Sequence, residues 1–429
     1  MGSLQSNSSL APVPEAAELV YGLYPGVEFF SADYGSEDYA EWVEQSNGDP
    51  VPAPLAVYIE DGGEGHCEAS AGKARILSRA PAAIGLELRL QGALFDCDRT
   101  VQQLVCSGRI ATDWTDDQLY ELVTELEHAF TTQQNGLANW CACIGHVLTP
   151  ESRLRLLRVL GFSSIRVRVT NANQAGQVEA VESLTARARH LGMRQVAVDL
   201  HLSSAVAAPS ATCLEDFVRR IGPDRLRLIS ANPGEPDVVG GLRERCVRQL
   251  AEMDYQHIGL DWFVRSSDVW WQARLCGRLH WSLLGFTEMP QPDVVGIGPG
   301  AVSAIGDFCG QNAMRCDDYL ELLDKQAIPV VRGLALESDD ALRREIMVMM
   351  LTAARIDINS IEDKWGVEFG QFFNEELGVL KRYEQAGWLT VAARSIVVHA
   401  RGRRELTQLC RAFDRRSRVP TLGYTPSFA

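Results

Sequence analysis

The sequence predicts an α/β fold of βα units around a parallel sheet, followed by a smaller helical unit. Three observations carry that prediction. Short apolar, β-prone runs recur through the first half of the 429-residue chain. Amphipathic helical stretches alternate with them, and after Asp339 the apolar spacing turns helical.

The first fifty residues read as a polar, Pro- and Ser-rich tail that ends in an aromatic stretch, "LVYGLYPGVEFFSADYGSEDYAEWV". "PLAVYIEDGGEGHCEASAGKA", Pro54 to Ala74, then starts as a buried strand and breaks into a glycine-rich loop with one cysteine. The strands expected are Leu55–Glu60, Val101–Cys106, Leu137–Ile144, Ser164–Thr170, Gln195–His201 and Leu226–Ser230. Helical patterns fall at Asp116–Phe130, Pro150–Leu160, Gln177–Leu191 and Cys213–Ile221. Six such units fit an open, three-quarter barrel or a doubly wound sheet, and periodicity alone does not choose. From Gln256 to Pro299 the chain is aromatic, Gly-rich and irregular. Beyond Asp339, two helical stretches, the strand pair "WLTVAARSIVVHA" and a final helix describe a winged-helix-like appendage. The domains expected are therefore 1–50 (tail and arm), 51–337 (barrel with its extension) and 338–429 (helical unit).

Composition narrows the function. Hydrophobic and charged fractions of 46% and 23% are ordinary for a globular protein. A net charge of −15 argues against nucleic acid, which needs a basic footprint. It also turns the winged-helix pattern toward a packing or lid role. The basic runs at Arg401–Arg404 and Arg411–Arg418 read as a solvated helix face and its end. With no apolar run long enough to span a bilayer and no basic-then-apolar leader, the expectation is a cytoplasmic protein with no membrane partner. Eleven cysteines without a Cys-x-x-Cys pair fit a reducing compartment rather than a disulfide framework or zinc ribbon.

Several segments resemble oxygen-independent coproporphyrinogen III oxidase. They are "IGLDWFVRSSD", "LHWSLLGFT", "DVVGIGPGAVSAIGDFCGQN", "VRGLALESDDALRREIM" and "GRRELTQLC". "VYGLYPGVEF" is similar to that family's arm motif Arg-Tyr-Thr-Ser-Tyr-Pro-Thr, with Tyr21, Tyr24 and Pro25 matching and the arginine replaced. The resemblance is dense after Gln256 and thin between residues 60 and 235. It implies a radical S-adenosylmethionine fold, an open three-quarter (β/α)6 TIM-type barrel. It also implies a [4Fe–4S] cluster on Cys-x-x-x-Cys-x-x-Cys in the loop after the first strand.

At those positions, aligned on Tyr58, this chain has Glu64, Glu68 and Ala71, with Cys67 out of register. Cys67, Cys97 and Cys106 are too far apart to supply the motif. The family's Gly-Gly-Gly-Thr-Pro turn falls on Ser107-Gly108-Arg109-Ile110-Ala111, its cofactor-binding Glu on Cys143, and its two Gln on Thr170 and Leu284. Only Tyr58 and Asp199, matching the Asp that grips a ribose, remain. The expectation is a degenerate cluster motif and loss of both [4Fe–4S] and S-adenosylmethionine.

Side chains two apart on a strand share a face. If Cys143 points inward, so do Cys141 and Asn139; Thr170 brings Arg168 and Arg166, and Asp199 brings His201 and Gln195. Arg166 and Arg168 suit a carboxylate or phosphate clamp, set against an internal salt bridge to Asp199 or Glu60. Cys141 and Cys143 with His146 and His201 suit a mixed sulfur–nitrogen metal site, set against inert packing of the thiols. Cys143 with His201 would make a thiol nucleophile. The expected ligand-binding set is Tyr58, Arg166, Arg168, Thr170 and Asp199. Two functions follow: a pseudoenzyme scaffold for a small anion, a porphyrin or a protein partner, or an enzyme with reassigned, non-radical chemistry in the same cavity.

Overall fold

A computed structural model describes residues 24–62, 71–133, 139–144, 149–170, 175–202, 211–230, 240–290 and 292–416. The six expected strands are all present: β1 (Leu55–Ile59), β2 (Thr100–Cys106), β3 (Asn139–Ile144), β4 (Ser164–Val169), β5 (Gln195–Leu202) and β6 (Arg225–Ser230). They pair in that order, every pair parallel. Helices separate them: α2 (Ala71–Gly92), α3 (Gly108–Asp113) and α4 (Asp116–Ala129), then α5 (Glu151–Val159), α6 (Ala175–His190) and α7 (Ala211–Ile221), with α1 (Ser36–Asn47) ahead of β1. α2, which begins at Ala71 in the last residues of the stretch expected as loop, was not expected; its internal Pro81 and its glycines conceal the helical period.

Alternate strand residues fill the core between sheet and helices. Ile165, Val167 and Val169 on β4 are fully buried, as are Val196, Val198 and Leu200 on β5, and all six join one apolar cluster with the helices. The opposite face of these strands carries the polar residues discussed below.

The segment expected to be irregular is instead sheet. After α8 (Gly240–Glu252) come β7 (Tyr255–Gly259) and β8 (Trp262–Arg265), and β8 pairs antiparallel with β6. A second set, β9 (Asp293–Ile297), β10 (Val302–Ile305), β11 (Phe308–Asn312) and β12 (Val330–Ala335), grows from the other edge. β9 is parallel to β1 and the rest are antiparallel. The order β12-β11-β10-β9-β1-β2-β3-β4-β5-β6-β8-β7 has two ends. Glycines that suggest irregularity are there for close approach. A Cβ on Gly296 would lie 2.4 Å from the Val302 carbonyl oxygen, and one on Gly298 would lie 1.8 Å from that of Glu60.

Downstream, α9 (Val269–Leu275) and α10 (Cys316–Asp324) flank the added strands. Cys316 is disulfide-bonded, a departure from the reduced set that the cysteine spacing suggests. The carboxy-terminal unit has α11 (Ser338–Ala353), α12 (Ile358–Trp365), α13 (Phe369–Phe372), α14 (Asn374–Gln385) and α15 (Leu406–Phe413). A three-stranded antiparallel sheet accompanies them, with Ser395–Val398 between Arg355–Asp357 and Leu389–Ala392. Its own apolar cluster includes Ile346, Met350, Leu380 and Phe413, and reaches Ile258 and Trp262 on β7 and β8. Of the basic end expected to be solvated, Arg411 is exposed but Arg415 and Arg416 are half-buried. Arg415 and Arg416 turn onto the fully buried Asp340, at 2.9 and 2.7 Å. Among the described residues no helix is long and apolar enough to cross a membrane.

One buried carboxylate ties the added strands to the barrel. Glu87 of α2 accepts from Tyr319 of α10 (2.5 Å), from the Gly298 N–H (2.8 Å) and from Asn312 and Gln91 (both 2.7 Å). Burial pushes its carboxyl up to about 7, against the pull of those four donors. A raised carboxyl binds a proton in the folded chain that the unfolded chain has released. Its contribution is therefore complete below the unfolded value near 4.5 and is lost as pH rises through about 7. Denaturant midpoints taken at pH 5 and pH 8 should show this loss, and Glu87→Gln should remove it. An equal loss in Glu87→Gln would assign the pH dependence to another group.

Candidate functional site

In-register parallel pairing sorts the inward side chains into rows. Nearest the amino ends lies a row of Tyr58, Val105, Cys141, Ser164 and Gln195. Above it come Cys143, Arg166, Ala197 and Arg225, and then Arg168, Asp199 and Arg227. His201 and Ile229 stand above these. Exposure follows the same split: Cys141, Cys143, Arg166, Arg168 and His201 are half-buried while Trp140, Ala142, Val167 and Val198 between them are buried.

Aromatic rings from β8 and α9 line the guanidinium side. The Arg166 and Arg227 guanidinium carbons lie 5.3 and 5.4 Å from the Trp262 ring, which is itself buried. Arg225 lies 3.4 Å over Trp270 and forms a two-point pair with Asp268, at 3.0 and 3.1 Å. Asp268 also accepts from Gln195 (3.0 Å) and from the Trp270 N–H (2.8 Å), which starts α9. Burial pulls the Arg225 guanidinium below its usual value, opposed mainly by Asp268.

The two inward thiols are unlike the others. The neighbouring Cys143 holds the Cys141 thiol below its usual value; burial opposes this, while the Arg166 charge and the Ser164 hydroxyl assist. The same proximity and burial push Cys143 well up. Cys106 and Cys410 are driven up by burial alone or chiefly so.

The Tyr58 hydroxyl donates to Glu60 at 3.3 Å. Thr170, just past β4, is exposed and accepts from Gln177 at 3.4 Å. Asp199 is level with Arg168 on one side and Arg227 on the other. Cys143 and His201 are not brought together. The residue level with Cys143 on β5 is Ala197, so His201 stands four residues, about 13 Å, further along. The thiol–imidazole nucleophile is corrected accordingly. His146, Glu64, Cys67 and Glu68 lie outside the described residues. Among the described residues no group of three His, Cys, Asp or Glu side chains could hold a metal ion.

Sequence reasoning missed Arg225 and Arg227. The alternation that found Arg166 and Arg168 was present in "RLRLIS", but the strand was expected to open one residue late, at Leu226. It also missed Trp262, Asp268 and Trp270, which enter through the segment taken as irregular. The Ser107–Ala111 stretch is no glycine turn: α3 begins at Gly108, and the Arg109 Nε lies 3.7 Å from the buried Asp61 at the end of β1.

Comparison with known proteins gives concordant results. Residues 336–404 match the HemN C-terminal domain family. The oxygen-independent coproporphyrinogen III oxidase of Salmonella typhimurium is 28% identical over 77% of this chain and 78% of its own length. That of Pseudomonas aeruginosa is 28% identical over 74% and 75%, and that of Synechocystis is 23% identical over 92% and 91%. The structure of coproporphyrinogen III oxidase from Escherichia coli, a radical SAM enzyme, superposes with a TM-score of 0.81. The identity there is 24%, over 93% of this chain and 98% of that one. This fixes the shared α/β fold with its carboxy-terminal helical region. Homology thus ties this chain to the oxygen-independent coproporphyrinogen III oxidase family, as a divergent member without its Cys-x-x-x-Cys-x-x-Cys motif.

Proposed function

We propose that this chain keeps its family's barrel as a binding scaffold for a small anion or a carboxylated tetrapyrrole, without radical chemistry. The observation that carries the reading is the interior charge. Arg166, Arg168, Arg225 and Arg227 stand on adjacent strands, in two neighbouring rows of one face. Guanidinium groups withdrawn from water favour carboxylate or phosphate in their fork geometry. Tyr58, Thr170 and Asp199 would complete the ligand-binding set. The named substrate of the relatives, coproporphyrinogen, makes a porphyrin bearing propionates the first ligand to test.

The parts of the chain follow the same reading. Residues 1–50 form a tail and arm, 51–337 an open three-quarter barrel with its extension, and 338–429 a winged-helix-like unit of packing or lid character. Separate apolar clusters support a unit after residue 337, although the second also draws on Tyr24 and on residues from Ile258 to Phe286, and the first takes in Tyr39 and Val43 of α1. We place the protein in the cytoplasm.

The family's cluster and S-adenosylmethionine do not fit the residues present. Glu64, Glu68 and Ala71 supply no thiolate. The Arg109 side chain reaches Asp61 where the family's turn leaves room for backbone contact. No chemical step is derived through either group. Reconstitution with iron and sulfide in the absence of air should give no cluster absorption and no cleavage of S-adenosylmethionine. About four irons per chain with a cluster spectrum would overturn this.

Removing one partner of a buried charge-assisted pair costs about 2–5 kcal/mol. In titrations with porphyrin carboxylates and common organic acids, Arg168→Ala should therefore weaken binding by more than tenfold. Absence of binding by the native protein, or an unchanged affinity in the variant, would make the arginines structural and end the occupied-pocket reading.

A further inference from the structure

We propose that Arg274 of α9 and Arg403 of the 3₁₀ turn Gly402–Glu405 form an oxyanion site where the barrel meets the helical carboxy-terminal unit. The anion it takes is small and doubly charged, with inorganic phosphate as the simplest case. The inference does not rest on the anion reading of the barrel interior, because neither arginine belongs to the inward rows.

Packing brings the two together. α9 buries Ala273 in the same apolar cluster as Leu406, and Arg274 donates through Nη1 to the Ile258 carbonyl of β7. β7 itself packs on the Gly402–Glu405 turn. The approach is close. A Cβ on Gly259, next to Ile258, would lie 2.6 Å from Leu406 Cδ1, and Leu406 directly follows the turn. From the other side, a Cβ on Gly402 would lie 2.1 Å from the Trp388 carbonyl oxygen. The turn that carries Arg403 is therefore held between Trp388 and β7.

Each arginine has a donor that water does not reach and nothing accepts: Nη2 of Arg274 and Nε of Arg403. The two residues as a whole are half-buried, so part of each side chain stays within reach of solvent. Among the described residues neither meets a carboxylate or a ring face; the Ile258 carbonyl is the one side-chain partner of Arg274. Buried guanidinium groups elsewhere are answered by acids. Arg99 meets Asp293 at 2.6 Å, Arg225 meets Asp268 at 3.0 Å, and Arg343 meets Asp339 and Glu376, both at 2.8 Å.

Burial, and then the Arg403 charge, pulls the Arg274 guanidinium down to about 10, and burial lowers Arg403 as well. Two cations partly withdrawn from water and repelling each other call for a counter-charge. A doubly charged oxyanion balances both. Its several oxygens also accept from donors that arrive on separate elements.

The test labels the native full-length chain with phenylglyoxal at pH 8, with and without inorganic phosphate, sodium chloride holding the ionic strength constant. Peptide mass reads the rate at each arginine. A bound anion slows labelling by one plus the ratio of phosphate to Kd, about tenfold at ten times Kd. Arg274 and Arg403 should slow together and with one Kd, sulfate should act like phosphate, and the exposed Arg355 and Arg394 should be unaffected. Arg403→Gln should abolish the protection of Arg274, whereas Arg168→Ala should leave it, which separates this site from the barrel interior. Unchanged labelling of Arg274 or Arg403, or equal slowing at Arg355 and Arg394, overturns the proposal. So does protection of Arg274 that persists in Arg403→Gln or is lost in folded Arg168→Ala. The native-chain rates decide the matter where a variant fails to fold.

Discussion

Parallel pairing without a register slip from β3 to β6 decides what the interior contains. Each strand offers alternate residues to one face, and a slip of one would reverse every choice. The pairs Cys143 with Arg166, Arg168 with Asp199, and Asp199 with Arg227 exist because these strands hold one register. The fully buried valines, leucines and isoleucines on the other face enforce it. Turning Val167 and Val198 inward would strand apolar area in a polar cavity and push guanidinium groups into the helix layer.

The added strands complete the chemistry that the six begin. β8 lies against β6 and brings Trp262 to Arg166 and Arg227, while the turn after it supplies Asp268 and Trp270 to Arg225. An arginine interior is costly unless each guanidinium meets a carboxylate, a ring face or a ligand. Arg225 has both of the first two. Arg166 and Arg227 share the face of one ring, Trp262. On the other edge, Glu87 gathers donors from α10, from the ends of β9 and β11, and from its own helix, which fixes β9 beside β1.

How much of this was legible follows from the range of the forces involved. The six parallel strands were readable because each is a short apolar run between helical patterns, and five of their six starts fall within a residue of expectation where the structure describes them. The set sharing one face on β3, β4 and β5 followed from alternation once the resemblance had put Cys143, Thr170 and Asp199 on that face. What escaped depends on contacts distant in sequence. β9 is a strand because β1 pairs with it across more than two hundred residues, and Gly296 marks a close approach that no local pattern distinguishes from a loop. Arg415 and Arg416 looked like a solvated end until their partner, Asp340, was placed beside them. His201 shares a face with Cys143 but not a row, and sequence periodicity gives the first without the second.

The substitutions in the family's cofactor segments have a common physical sense. Cys143, which the resemblance sets at a carboxylate position of the family, is level with Arg166. In the Ser107–Ala111 segment the change introduces a cation, Arg109, beside the buried Asp61. Both alter the sign or softness of the cavity wall without filling it with apolar side chains. A cavity that had merely lost its cofactor would gain stability by acquiring apolar filler, because unpaired polar groups away from water are costly. Arg166, Arg168, Arg225 and Arg227 stand around that space, and on the reading proposed above an anion would share their charge.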